Sequence, residues 1–130
     1  MYGPIIFSAY STSGSFASGS YITGFAGFLT NIGESFNLAD GTFKAPRNGI
    51  YEFSASVRAS EIMNRLTIVK NEAQILTFLN YSGSNKGDML LTFNWIIELQ
   101  KGDRVHLEVQ DGFFICAEDR YCIFNGKYIM

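Results

Sequence analysis

The chain has 130 residues, 47% hydrophobic and 15% aromatic, with a formal net charge of −2. That suits one domain over residues 1–130 with one buried core and argues against disorder. The ten Lys and Arg are scattered. They form no basic stripe of the kind phosphate neutralisation needs, which argues against nucleic acid as a partner. No apolar run approaches the ~20 residues of a membrane span.

Taken in order, Ile5, Phe7 and Ala9 open a short strand, and Ser11 to Ser20 (STSGSFASGS) reads as a polar surface loop. Residues 21–28 mix apolar residues with two glycines and predict an irregular strand, turned by Asn31-Ile32-Gly33. Next comes GTFKAPRNGIYEFSASVR, Gly41 to Arg58, which reads as strand, tight turn at Pro46-Arg47-Asn48-Gly49, and strand. Tyr51, Phe53, Ala55 and Val57 alternate with Glu52, Ser54, Ser56 and Arg58. That period of two marks a half-buried antiparallel strand. Leu66 and Ile68 alternate with Arg65 and Thr67, Asn71-Glu72 predicts a turn, and Ala73 to Leu79 the next strand.

Ser82 to Asp88 is a loop by composition. Met89 to Leu99 then places Met89, Leu91, Phe93, Trp95, Ile97 and Leu99 on one face, while Leu90 and Ile96 stand on the other among polar residues. A long strand buried on both sides is expected, its second face covered by a partner subunit. Gln100 to Asp103 predicts a hairpin turn, residues 105–109 a further alternating strand, Asp111-Gly112 a turn, and Ile123 to Met130 a terminal strand. About ten short strands without a long helix predict an all-β protein of two packed sheets.

No catalytic set emerges. His106, the one histidine, stands at a polar-face position and reads as a surface residue, and no serine has the context of a nucleophile elbow. The chain is therefore expected not to be an enzyme. Cys116 and Cys122 flank a polar five-residue loop and admit either a disulfide, worth roughly 2 kcal/mol by chain entropy, or two free thiols. Phe114, Glu118, Asp119, Arg120 and Tyr121 around that loop are the candidate ligand contacts, because a bridged loop is presented in a fixed shape. Phe113-Phe114 and Tyr121 offer either a stacking platform or a cap on the core. Asn80-Tyr81-Ser82 is a glycosylation sequon.

Several pieces form an ordered set: Phe7-Ser8-Ala9, Asn31-Ile32-Gly33, Phe36-Asn37, Gly41-Thr42-Phe43, Ala45-Pro46, Gly49-Ile50-Tyr51-Glu52-Phe53, Gly102-Asp103 and Phe124-Asn125-Gly126. The set resembles the globular head domain of complement C1q and its relatives, the cerebellins among them. The resemblance implies a ten-stranded antiparallel jelly-roll sandwich, shared with tumour necrosis factor ligands, that assembles as a homotrimer. Phe7, Phe93, Trp95, Ile97 and Tyr128 are its interface candidates. It further implies a secreted recognition domain that binds carbohydrate, microbial or other cell-surface ligands in a lectin-like or innate-immune role. A cerebellin-like signalling ligand for a cell-surface receptor and a structural surface-assembly protein are the alternatives.

Met1-Tyr2-Gly3-Pro4 does not begin a signal peptide and no Gly-X-Y repeat is present. A mature fragment or cloned domain is thus expected, any stalk lying outside it. Calcium is the ion the resemblance implies, with Asn80 and Tyr81 where relatives carry Asp-Tyr and with Asp88 to restore the charge a hard cation needs. A glycan on Asn80 would compete with that role.

Overall fold

The structure, a computed structural model, describes residues 3–81, 89–117 and 122–130. Its secondary structure is all strand: β1 (Ile6–Ser11), β2 (Gly14–Ala17), β3 (Gly27–Ile32), β4 (Phe36–Asn37), β5 (Thr42–Lys44) and β6 (Gly49–Ala59) lead into β7 (Met63–Lys70) and β8 (Ala73–Tyr81). After these come β9 (Met89–Leu99), β10 (Arg104–Asp111), β11 (Phe113–Cys116) and β12 (Cys122–Tyr128). Among the described residues no helix is long and apolar enough to cross a membrane.

Two antiparallel sheets enclose the core. One sheet runs β9–β6–β12–β1–β3, with β11 and β2 as short pieces beyond the end of β12. The other runs β4–β5–β10–β7–β8. The alternation that marks each strand in the sequence assigns the inward face. Tyr51, Phe53, Ala55 and Val57 of β6 are buried, as are Val105, Leu107 and Val109 of β10.

The expected hairpin at Pro46–Gly49 is instead a crossing between sheets. β5 pairs with β4 and β10, whereas β6 pairs with β9 and β12. Phe43 of β5 faces Tyr51 and Phe53 of β6 across the core at 5.3 and 5.2 Å between ring centroids. Two strands that both bury aromatic rings against each other lie on opposite sides of the core, not side by side. The crossing is held by Tyr51, whose hydroxyl donates to the Arg47 carbonyl at 2.6 Å, and by Asn48, whose Oδ1 accepts from the Lys101 amide at 2.7 Å.

Gln100–Asp103 is likewise a turn between sheets, from β9 to β10, and not a hairpin. The real tight hairpin is at Asn71-Glu72, both at positive φ (49° and 70°), joining β7 to β8 in the type I′ manner that matches strand twist. Two further expectations are corrected. Part of the 11–20 segment is a strand, β2, because Phe16 buries beside Phe114 on β11. The strand expected over 21–28 forms at Gly27–Ile32, so Asn31 and Ile32 extend β3 rather than turn the chain.

Asp103 ties the two turns together. It accepts from the Asn71 amide group and from the Gln100 backbone N–H, both at 2.9 Å, and faces the Lys70 ammonium at 3.7 Å. These bonds, that from Asn71 foremost, hold its carboxyl below the usual carboxylate range. A depressed folded pKa means stabilisation that is present above the ordinary value of about 3.9 and is lost as pH falls through the folded value. Asp103→Ala is therefore expected to cost about 1 kcal/mol at neutral pH, a charge-assisted bond discounted for solvent. Denaturant melts of both proteins should converge in acid. An equal difference in acid and at neutrality would show that the carboxylate charge contributes nothing.

The motif aromatics of the sequence meet in one place. Phe7 packs against Phe36 (4.5 Å), Phe43 (5.5 Å) and Phe124 (5.3 Å), and Phe36 against Phe124 (5.5 Å). Gly126 makes this possible: a Cβ there would lie 2.5 Å from the Phe7 ring and 2.8 Å from that of Phe53. Gly41 has a similar reason, with φ of +70° and the Ile22 carbonyl oxygen 2.2 Å from where a Cβ would be.

Candidate interaction surface

β8 and β9 are the outer strands of their sheets on the same side of the sandwich, and their inward faces meet there: Phe78 packs on Phe93 at 4.6 Å and on Trp95 at 6.1 Å. Around this seam the chain leaves apolar side chains in solvent. Leu90 (52% exposed) and Ile96 (64%) stand on the outer face of β9, and Ile75, Leu76, Leu79 and Tyr81 are exposed along β8. An edge of this length and apolarity is one that monomeric proteins normally blunt with charge. A second, smaller apolar group lies at the far side of the β9-containing sheet, where Ile6 of β1 pairs with Ile32 of β3 and Leu29 stands nearby, all three exposed.

Between the two patches the outer face of this sheet is polar. Ser8 donates to Asn125, whose amide donates to Ser54 at 3.0 Å; Ser56 bonds Thr92 at 3.3 Å; and Lys127 faces Glu52 at 3.4 Å. These contacts tie the middle of the face together, and its large exposed apolar side chains stand at the two edges.

The interface candidates from the sequence are mostly buried within the single chain. Phe7 (1% exposed), Phe93 and Trp95 point between the sheets and are buried, because the odd-numbered side chains of β9 oppose the buried residues of β6. Ile97 is partly buried against the core. Tyr128 is engaged within the chain, with the Arg47 guanidinium 3.8 Å over its ring and Tyr51 at 5.4 Å. On β9 the large apolar residues left exposed are the even-numbered Leu90 and Ile96. Their signal in the sequence was two apolar residues on an otherwise polar face.

Cys116 and Cys122 are disulfide-bonded, which settles the alternative the sequence left open. Phe114 is 0% exposed and belongs to the core, not to a ligand surface, since it lies in line with the buried Ala59 of β6. Glu118, Asp119, Arg120 and Tyr121 lie outside the described residues, as does Asp88. Asn80 and Tyr81 do not converge. Asn80 pairs with the buried Asn64 and has its own Oδ1 buried, whereas Tyr81 is exposed on the opposite side of β8. Successive strand residues point to opposite faces, so these two side chains do not share one cation.

His106 is corrected as well. It occupies the outer face of β10, as its position in the alternation requires, but is only 7% exposed. The segment preceding β3 runs alongside β10, with the Ile22 amide donating to Leu107 and the Val109 amide to Ser20, and lays the Tyr21 ring against the imidazole at 4.1 Å. Burial holds the His106 pKa below the usual imidazole range, so the ring is neutral at neutral pH.

Comparison with known proteins places this geometry. The family model for the C1q domain matches residues 6–130. The chain is 30% identical over 103 residues to complement C1q tumor necrosis factor-related protein 3 of Mus musculus and to that of Homo sapiens, covering 78% of this chain. It spans 42% of the length of those relatives. Among solved structures, the globular domain of zebrafish complement 1qA superposes with a TM-score of 0.78 at 20% identity, over 98% of each chain. The Eiger tumour necrosis factor from S. frugiperda superposes with a TM-score of 0.77 at 9% identity, over 99% of this chain and 94% of that one. Murine APRIL does so with 0.76 at 7%, over 98% and 100%. The sandwich is therefore the jelly roll of C1q and tumour necrosis factor domains, a class of non-enzymatic ligand-binding modules. With the model match over almost its full length, this chain belongs to the C1q domain family.

Proposed function

We propose that this chain is the recognition head of an extracellular protein that works as a homotrimer, binding carbohydrate or protein ligands on microbial or cell surfaces. The observation that carries this is the pair of unlike apolar patches at opposite edges of one sheet, Leu90 and Ile96 on β9 and Ile6, Leu29 and Ile32 at β1 and β3. Two different patches on opposite sides are not self-complementary in the manner of a two-fold dimer. They favour a heterologous contact, in which the edge of one copy packs on the next and the set closes as a ring. Family membership supports three as the number that closes it. Three heads on one particle then convert weak individual binding into avidity.

Sedimentation velocity of the purified chain at micromolar concentration tests the assembly. One species of three times the chain mass is expected. A species of one chain mass across the concentration range overturns the trimer.

A further inference from the structure

The outer face of the second sheet carries a groove away from the β8–β9 edge. Two cavities, of about 360 and about 310 Å3, run together along β5 and β10 and share Asp40, Thr42 and Arg104 as lining. Each falls in the range of small-ligand pockets, roughly 300–1,000 Å3. One end is lined by Ser35, which is 9% exposed, and the other by His106 and the exposed ring of Tyr21.

The Ser35 hydroxyl and both nitrogens of the His106 ring are buried with no hydrogen-bond partner among the described residues. A buried polar group left unmatched is destabilising, and each one calls for an explanation. Both residues line the groove, and a ligand that reaches in to them can satisfy both. The neutral imidazole presents one donor and one acceptor, the serine hydroxyl can do either, the Asp40 carboxylate accepts, and Arg104 donates. The Asp40 carboxylate is set by the turn that precedes β5, where it accepts from the Thr42 amide at 3.0 Å.

The ligand class follows from these partners. Charges along the groove nearly cancel, with Glu34, Asp40 and Glu72 against Lys44 and Arg104, so neither a phosphate nor a cation is favoured. What remains is a neutral ligand rich in groups that both donate and accept, with a C–H face to lie on Tyr21. That describes a pyranose. The structure assigns the groove between Ser35 and Tyr21 as a binding site for a short neutral saccharide of about two rings, one in each cavity. This rests on the recognition reading above and gives it a location distant from the β8–β9 edge.

The test is a titration of the isotope-labelled chain with neutral disaccharides (lactose, maltose, chitobiose and mannobiose), carried to millimolar concentration and followed by NMR. A glycan array extends the panel. At least one sugar should shift the amides of Ser35, Asp40 and Thr42 and the His106 ring signals. Tyr21→Ala and Arg104→Ala should each weaken that sugar at least about tenfold, as expected for a lost stacking face or charge-assisted bond. Leu90→Glu, on the other sheet, should leave the shifts in place. Shifts on another surface, with Tyr21→Ala and Arg104→Ala binding like the parent, overturn this site while the recognition reading stands. A blank panel and array from a chain that sediments as a trimer overturn the saccharide class and leave the assembly untouched.

Discussion

Leu90→Glu combined with Ile96→Glu is expected to dissociate the proposed trimer into folded single chains. Both side chains are exposed on the outer face of β9 and lie outside the core cluster, so circular dichroism should keep its all-β form. In the proposed trimer they would enter an apolar contact. A carboxylate left there without a partner costs about 3–5 kcal/mol, so each interface should weaken by roughly a thousandfold or more. Sedimentation at micromolar concentration reads this directly. A double variant that still sediments at three times the chain mass would put the interface on another surface, and loss of fold would show that β9 is held in place by its neighbour.

Phe7→Ala is expected to lose about 3–5 kcal/mol of stability, the usual cost of emptying a buried aromatic site. Phe7 packs on Phe36, Phe43 and Phe124 in the core and is almost wholly buried. Gly126→Val attacks the same place from the other side, forcing a branched side chain where even a Cβ would lie 2.5 Å from the Phe7 ring. Overpacking of this kind costs about 1–3 kcal/mol or more. Because assembly adds its own stability, both are best measured in the background of Leu90→Glu and Ile96→Glu, where unfolding is that of one chain. A Phe7→Ala protein that keeps its denaturation midpoint and changes only its sedimentation would return Phe7 to the subunit interface.

The two sets of variants separate roles that the sequence merges. Read along the chain, Phe7, Phe93, Trp95 and Ile97 look like any large apolar residues in alternating strands, equally suited to a core or to a subunit contact. The structure assigns them by which side of each strand faces the opposite sheet. Phe93 and Trp95 meet Phe78 from β8 and are buried, whereas Leu90 and Ile96 stay exposed and are the residues the proposed contact would use.

Much of the fold was nevertheless legible. The alternation in β6, β9 and β10, the Asn-Glu turn at 71–72 and the ordered motif residues were sufficient for an all-β sandwich and its family. The physical reason is local: a strand buries every second side chain, and turns need residues that tolerate their backbone angles. The motif aromatics and glycines of the family could be read because they are the core itself, Phe7, Phe36, Phe43, Phe53 and Phe124 packed on one another, with Gly126 against Phe7 and Phe53. What only the tertiary structure decided was which strands are neighbours. The turns at 46–49 and 100–103 look like hairpins in sequence yet join opposite sheets, since a turn limits distance and not which edge the next strand takes. The groove lay beyond the sequence for the same reason. Ser35, Asp40, Arg104, His106 and Tyr21 come from separate segments, and the burial of His106 under Tyr21 arises from a pairing across more than eighty residues of chain.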